Sequence, residues 1–269
     1  MNSLPMQPTV NIPSVNLLNK VPEVTLIFWI IKMMSTTVGE TGADYLIFKL
    51  HLGLLVTSAI MGVLLIIALF VQVKSTTYVP WRYWTAVVFI SIFGTLITDD
   101  LTDKLHVPLL LSTAAFSALL ILTFLLWYSK EKTLSINAID NRNRELFYWI
   151  AILATFALGT AAGDWVSEEM KLGYSKSAIL FGGMIAITAF VYFVLHWSTV
   201  TCFWVVYILT RPLGASVGDL LSHSKKHGGL GFGTTSTSIV FLGVIIGLVV
   251  YLSIIHEKNK TSNSVSLPS

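Results

Sequence analysis

The chain has 269 residues, of which 54% are hydrophobic and only 12% are charged, and its mean hydropathy is +0.76. An average soluble domain is about 25% charged, so this composition excludes an ordinary water-soluble fold and predicts an integral membrane protein. The formal net charge of +3 is small and the basic residues are scattered, which argues against a nucleic acid as a partner.

A polar tail at 1–21 is predicted to precede the membrane domain. It contains Pro5, Pro8 and Pro13, and it lacks the basic start and apolar core of a cleavable signal peptide. We expect one membrane domain at 22–255 and a second polar tail at 256–269. Within this domain, four stretches lack Asp, Glu, Lys and Arg over about the 20 residues that a helix needs to cross a bilayer. These stretches are 50–73, 105–129, 177–210 and 228–256.

A fourfold internal repeat is visible in the spacing of aromatic, glycine and aspartate residues. An aromatic residue followed by Trp occurs four times, a Gly follows ten positions after each Trp, and an Asp follows fifteen positions after it. The repeated residues are Trp29, Trp84, Trp149 and Trp204, then Gly39, Gly94, Gly159 and Gly214, then Asp44, Asp99, Asp164 and Asp219. The spacing predicts repeats at about 22–75, 76–130, 143–197 and 198–255.

Each repeat is long enough for two membrane helices. The Trp residues are 55, 65 and 55 positions apart, and the extra length falls in a polar loop at 129–145. We therefore predict an all-α polytopic membrane bundle of about eight transmembrane helices in two pseudo-equivalent halves. The expected spans are 24–44, 51–73, 83–103, 107–128, 146–168, 177–196, 199–221 and 234–255.

Two of the repeated residue types have an ordinary structural interpretation. A small residue lies four positions after each repeated Gly, and this spacing lets helix backbones approach closely in lipid. The aromatic pairs are typical of the belts that anchor membrane proteins at the headgroups. We therefore expect the glycines in helix packing and the aromatic pairs near an interface.

This pattern resembles that of bacterial membrane proteins made of four tandem repeats of unknown function, in which each repeat has two transmembrane segments and a characteristic Trp. The resemblance extends over about 22–255 and depends on the stretch from Phe28 through Gly39 to Asp44 and its three counterparts. It implies the eight-helix architecture and the inner membrane of a bacterium, and it implies no activity.

The repeated Asp residues all lie on the first helix of their repeat, whereas the second helices carry almost no acids. An ionised Asp at the centre of a bilayer costs roughly 2.5 to 3.5 kcal/mol on insertion scales. We therefore expect the first helices to face one another, with the four Asp side chains directed into the bundle or its mouth. The second helices should form an outer ring that faces lipid.

Further ionisable residues accompany each repeated Asp. Glu40 lies one turn before Asp44, and positions four residues apart share a helix face, which places Asp103, Glu168 and His223 beside the Asp of their own repeats. We expect these four residues to act as secondary ligands. The nearby basic residues expected to reach the acids are Lys32, Lys104 and Arg211.

The acids indicate a transporter of a divalent metal cation, with Asp44, Asp99, Asp164 and Asp219 as the central ligands. Carboxylates, and hydroxyls at the start of the second helices, suit a hard cation such as Mg²⁺, Mn²⁺ or Ca²⁺. Cys202 is the single cysteine and few histidines are present, so a zinc or copper site is not indicated.

The same residues leave two other functions open. Closely spaced carboxyl groups exchange protons, which would suit a proton-coupled carrier of a small organic solute, and a charge at Arg211 beside Pro212 could switch partners as the helix flexes. Each Asp could instead only end its helix near the interface, in a non-transporting membrane protein that binds lipid or a protein partner.

The sequence contains no catalytic motif, neither a Ser, His and Asp set with its supporting motif nor a zinc-protease or phosphate-loop signature. We therefore expect no enzyme and no cofactor, and we expect the partners to be the lipid bilayer and a small cation or solute. Nine Lys and Arg residues fall on the side where the chain begins and six on the other side. This bias predicts that both termini lie in the cytoplasm.

Overall fold

The structure, a computed structural model, describes residues 19–265 and consists of eight long helices joined by short connections. The prediction of an all-α bundle is confirmed, and most of the helix bounds agree with the predicted spans within a few residues. The helices are α1 (Leu26–Asp44), α2 (Leu54–Val73), α3 (Pro80–Asp99), α4 (Leu109–Glu131), α5 (Arg142–Asp164), α6 (Tyr174–Leu195), α7 (Thr199–Ser222) and α8 (Thr234–Val265).

The odd-numbered helices begin at residues that favour a helix start. Thr25, Asn141 and Ser198 each accept a hydrogen bond from a backbone N–H of the first turn that follows, which satisfies one of the free donors there. Pro80 is the first residue of α3, where its missing N–H is harmless. The sequence therefore fixes where each inner helix enters the bundle.

Helices α1, α3 and α5 each continue into a five-residue π-helical turn directly after the repeated Asp. The turns are Tyr45–Lys49, Asp100–Lys104 and Trp165–Glu169. The fourth repeat differs, because α7 ends at Ser222 and a glycine-rich loop follows. The backbone N–H groups of Leu230, Gly231 and Phe232 donate to the last carbonyls of α7 and of His223, and Gly231 has a φ of +81° that favours glycine.

Two predicted boundaries need correction. The last span, predicted to end at 255, continues to Val265, because the polar residues after the apolar stretch include neither Gly nor Pro to end the helix. At the other end, Lys20 and Val21, which the sequence predicts to lie in the tail, are buried.

The helices form two concentric rings, as their charges predicted. The four odd-numbered helices form an inner ring in which α1 packs on α3, α3 on α5, α5 on α7, and α7 on α1 again. Each even-numbered helix packs outside on the odd helix of the next repeat: α2 on α3, α4 on α5, α6 on α7, and α8 on α1. The four repeats therefore follow one another around a closed ring, and the arrangement is fourfold where the sequence indicated two halves.

Burial follows the same division into inner and outer helices. In the most apolar window of α5, 72% of the residues are buried, against 6% in α6 and in α8. Seven helices of the described chain are long and apolar enough to cross a membrane, and α1 is not among them. Helix α1 carries Lys32, Glu40 and Asp44, and α3, α7 and α8 pack around it, so its buried charges are shielded from lipid.

The repeated glycines lie where neighbouring inner helices touch. A side chain at the Gly of one repeat would overlap the residue seven positions after the Trp of the next repeat, and the last repeat meets the first in the same way. The pairs are Gly39 with Ser91, Gly94 with Phe156, Gly159 with Arg211, and Gly214 with Thr36. The absence of a side chain at these four positions allows the ring to close.

A buried polar network closes the face at which the odd helices begin, here called the N-terminal face. Lys20 Nζ donates to Glu145 Oε2 at 2.8 Å, and Gln72 Nε2 donates to Glu145 Oε1 at 3.4 Å and to the Lys20 carbonyl oxygen at 3.3 Å. The Glu145 side chain is completely buried and that of Lys20 is 11% exposed. This network ties the segment before α1 to α2 and α5.

Replacing Gly94 with Ala should destabilise the bundle. The new Cβ would lie 2.8 Å from Phe156 Cβ and 3.3 Å from the Ala157 backbone nitrogen, so α5 would have to shift. Overpacking of this kind costs about 1 to 3 kcal/mol, which can be measured by reversible unfolding in mixed micelles. The control is Gly247→Ala on α8, where nothing lies within 4 Å of the new Cβ and the free energy of unfolding should stay equal or rise. Equal losses for both variants would contradict the glycine contacts described above.

Replacing Glu145 with Ala should destabilise the protein more strongly. The change leaves the largely buried Lys20 without its carboxylate, and breaking a buried pair costs about 3 to 5 kcal/mol. The matched control is Lys104→Ala, which removes the exposed ion pair with Asp100 and should cost less than about 1 kcal/mol. If thermal unfolding of the two variants occurred at the same temperature, the network would not stabilise the N-terminal face.

Candidate functional site

The repeated acids gather at the opposite end of the inner ring, here called the acidic face. The four inner helices run in the same direction, and on each of them the Asp lies fifteen residues after the Trp. The Asp is therefore about 22 Å farther along the helix axis than the Trp, and the four Asp residues lie at the same height. Glu40, one turn deeper on α1, joins them. We call Glu40, Asp44, Asp99, Asp164 and Asp219 the acidic cluster.

Two sets of ligand atoms within this region are close enough to share one ion. Oxygen atoms of Glu40, Asp164 and Asp219 all lie within 4.8 Å of one another. An oxygen of Asp44, an oxygen of Asp219 and a ring nitrogen of His223 do the same. Asp219 belongs to both sets, and its side chain is 8% exposed. The structure thus brings together three of the four predicted central ligands with Glu40 and His223.

The other predicted ligands lie at the edge of this region. Asp99 is half-buried and belongs to neither set, although its carboxyl group interacts electrostatically with Glu40 and Asp44. Asp103 and Glu168 lie in the π-helical turns after α3 and α5 and are exposed. The prediction places Asp103 and Glu168 on the same α-helical face as the Asp four positions earlier. A π-helical turn has a different angle per residue, so positions four apart no longer share a face there. The roles of these residues as ligands stay predictions.

The alternative, in which each Asp only ends its helix, agrees with the structure in the position of the Asp residues but not in their hydrogen bonds. Asp44, Asp99 and Asp164 are the last residues of α1, α3 and α5. None of the three makes a side-chain capping hydrogen bond to the π-helical turn that follows. A capping role therefore does not explain why a carboxylate lies at these positions.

Arg211 lies at the centre of the ring and pairs with Glu40. Its Nη2 donates to Glu40 Oε2 at 3.0 Å and to the hydroxyl of Thr95, and its Nη1 donates to the Thr36 carbonyl oxygen at 3.2 Å. The Arg211 side chain is completely buried. The sequence predicted that Arg211 would reach an acid, and the structure gives Glu40 as that acid. These contacts join α7 to α1 and α3.

Lys32 lies deeper, on the side of Arg211 that leads to the N-terminal face. It is 1% exposed, and its Nζ is 3.9 Å from the ring centroid of Phe156 and 4.3 Å from that of Tyr207. The sequence grouped Lys32 with the acids, but its described contacts are aromatic. Its depth could not be read from spacing, because the corresponding positions of the other repeats are Val87, Ile152 and Tyr207.

The residues before each repeated Trp fill the interior near the N-terminal face. Phe28, Tyr83, Tyr148 and Phe203 are all buried and form the aromatic cluster. The Tyr83 and Tyr148 hydroxyls share a hydrogen bond at 2.5 Å, and the Phe28 and Phe203 rings are 6.2 Å apart. Three of the four Trp residues are buried too, so these aromatic residues pack the inner ring itself, and their place at an interface stays a prediction.

A shallow cavity opens beside the acidic face between the third and fourth repeats. Its volume is about 400 Å³, and Glu168, Tyr174 and Lys176 are among its lining residues. The Tyr174 hydroxyl donates to Glu168 Oε1 at 3.3 Å, and the Tyr174 ring stacks on His223 at 5.1 Å. His223 belongs to the second ligand set, so Tyr174 links this cavity to the edge of the cluster.

One family of protein repeats matches the chain along most of its length. The family is described as Repeat of Unknown Function (DUF347), and it matches at 27–78, 82–133, 147–196 and 202–257. Each match covers one inner helix and one outer helix. No curated protein and no solved structure matches the chain.

A double-mutant cycle should detect the coupling between Arg211 and Glu40. Arg211→Met and Glu40→Leu each leave an uncompensated buried charge, so each should lower the free energy of unfolding by about 3 to 5 kcal/mol. The double variant should lose less than the sum of the two. The control cycle is Arg144 with Asp140, a more exposed pair whose coupling should be below about 1 kcal/mol. Additive losses at Arg211 and Glu40 would mean that the two side chains act independently.

Proposed function

The chain belongs to the family described as the Repeat of Unknown Function, and we propose that it is a membrane transporter that moves a divalent metal cation. The observation that supports this proposal best is the convergence of acids from all four repeats on one end of a closed ring. Two sets of ligand atoms, which share Asp219, would hold the cation, and within each set the atoms lie within 4.8 Å of one another.

The separation of the ligand atoms fits a hard divalent cation. Such ions lie about 2.0 to 2.6 Å from their oxygen ligands, so two oxygens on opposite sides of one ion are about 4 to 5 Å apart. Carboxylate-rich sites suit Mg²⁺, Ca²⁺ and Mn²⁺. We take Mn²⁺ as the cation to test, since it accepts the single imidazole of His223 together with oxygen ligands.

The charge balance of the acidic cluster also favours a bound cation. Five carboxyl groups lie in the cluster, and the one guanidinium among them, that of Arg211, contacts Glu40. The carboxyl group of Asp219 interacts electrostatically with Glu40, Asp164 and Asp44. A divalent cation would relieve the repulsion among these groups. At Glu40 it would compete with Arg211, which already supplies a positive charge there.

The closed N-terminal face supports alternating access rather than an open channel. The network of Lys20, Gln72 and Glu145 and the aromatic cluster fill the interior of the ring at that end. Pro212 lies inside α7 directly after Arg211 and donates no backbone hydrogen bond, so α7 has a natural point of bending there. Bending at Pro212 would move Arg211 relative to Glu40.

The orientation follows from the excess of Lys and Arg on the side where the chain begins. We propose that both termini lie in the cytoplasm of a bacterium and that the acidic face is directed away from it across the inner membrane. In this orientation the state described here would accept a cation from outside the cytoplasm.

A proton-coupled carrier of a small organic solute is the second candidate. The buried pair of Arg211 and Glu40 favours it, because a guanidinium can release its carboxylate to bind the acid group of a solute. The five neighbouring carboxyl groups would carry the protons.

Purified protein in liposomes should take up Mn²⁺ in a saturable manner, and Asp219→Asn should reduce the uptake at least about tenfold. Asp219 contributes to both ligand sets, and even outer partners of metal ligands change affinity by about 10- to 100-fold. A metal-sensitive dye and a pH-sensitive dye inside the liposomes report the two transport functions together.

The controls separate the possible outcomes of this uptake experiment. Asp140→Asn alters an exposed acid beyond the N-terminal end of α5 and should leave uptake unchanged, and Asp103→Asn at the exposed rim should reduce it less than Asp219→Asn. Wild-type uptake by Asp219→Asn would overturn the cation proposal. Proton movement that depends on an organic acid, without Mn²⁺ uptake, would favour the second candidate. The absence of both activities, with a fold that is stable in all variants, would favour a non-transporting protein.

A further inference from the structure

Lys32 is a buried cation that has no carboxylate partner in the acidic cluster. It is 1% exposed, and no described residue accepts a hydrogen bond from its Nζ. The charged neighbour that acts on it is Arg211, which is another cation. The carboxylate nearest to this region, Glu40, already pairs with Arg211 at 3.0 Å.

Two arginine nitrogens of the described chain, Arg82 Nε and Arg211 Nε, are likewise buried without a hydrogen-bond acceptor, and Arg211 is the one that acts on Lys32. Its two terminal nitrogens are bonded, but its Nε, also buried, has no acceptor among the described residues. Lys32 Nζ is 3.9 Å and Arg211 Cζ is 5.8 Å from the same Phe156 ring centroid. Both unsatisfied donors therefore belong to side chains that pack on one ring, in the middle of the inner helices.

This arrangement differs from that of the other buried lysine. Lys20 has Glu145 Oε2 at 2.8 Å and the Val73 carbonyl oxygen at 3.4 Å, so its charge and two of its three N–H donors have partners. Contacts with aromatic rings stabilise a cation by less than the free energy that burying an ion costs. The rings alone do not balance the charge of Lys32.

We propose that Lys32 and Arg211 form a binding site for a small inorganic monovalent anion, such as chloride, inside the inner ring. A halide accepts hydrogen bonds from any direction. It therefore suits the Lys32 ammonium and the Arg211 Nε–H, which have no acceptor in common among the described residues. The surrounding side chains are closely packed aromatic rings, which favours a single-atom anion over an extended organic acid. The anion would balance the charge of Lys32, as Glu40 balances the charge of Arg211.

This site is distinct from the cation site of the acidic cluster and does not depend on it. Its donors are nitrogen atoms, it lies on the side of Arg211 nearer the N-terminal face, and it calls for a ligand of opposite charge. A protein that moved no cation at all could still hold this anion.

The test compares thermal unfolding of the purified protein in sodium chloride and in sodium gluconate at the same ionic strength. We expect chloride to raise the midpoint of wild-type protein by roughly 2 to 4 °C and bromide to have a similar effect. Lys32→Met should have equal midpoints in both salts. The matched control is Lys20→Met, which removes the paired lysine and should keep the response to chloride although it unfolds at a lower temperature.

Crystals of wild-type protein grown in sodium bromide provide a second measurement that needs no variant. An anomalous peak beside Lys32 Nζ and Arg211 Nε is expected. Equal midpoints of wild-type protein in the two salts, or bromide bound only elsewhere, would overturn the proposal and would indicate that Lys32 is a neutral amine. A chloride response that persists in Lys32→Met would likewise assign the effect to another part of the protein.

Discussion

The whole structure depends on keeping ionisable side chains away from lipid. Each repeat supplies one helix that carries acids and one that carries almost none. The acids are shielded because the first kind lies inside and the second kind outside. Closing that inner ring requires backbones to touch. Glycine at the same position of every repeat allows this, so the acids and the glycines are two parts of one solution.

The fourfold ring is a symmetric scaffold that carries unequal side chains. Seven positions after the repeated Trp, the four repeats have Thr36, Ser91, Phe156 and Arg211, and all four residues lie against the glycine of the preceding repeat. Arg211 packs against Gly159 in the same way that Ser91 packs against Gly39 and Thr36 against Gly214. The position of the residue in the ring therefore does not depend on its side-chain chemistry. An Arg at this position in one repeat alone brings a buried cation to the centre of the ring.

The sequence predicted the fold and the approximate place of the site because both follow from periodic features. Charge-free stretches and the phase of Trp, Gly and Asp are enough to give eight helices, inner and outer, and a common height for the four Asp residues. The pairing of Arg211 with Glu40 and the depth of Lys32 depend on how each inner helix is rotated about its own axis relative to its neighbours. Residue spacing within one helix does not reveal this rotation. The π-helical turns were missed for a similar reason, since the residues that form them share no distinctive composition.

The fourth repeat has diverged from the scaffold in several respects at once. It carries Arg211 and Pro212, it lacks a π-helical turn, and its glycine-rich loop is bonded to the end of α7. On the facing helix, side chains at Gly159 or Gly163 would meet Pro212, so α5 leaves room at the point where α7 can bend. These features all act on one helix, which also supplies Asp219 to both ligand sets. Helix α7 thus combines a bending point, the central cation and the shared acid, which is what the proposed transport function would require of a moving part.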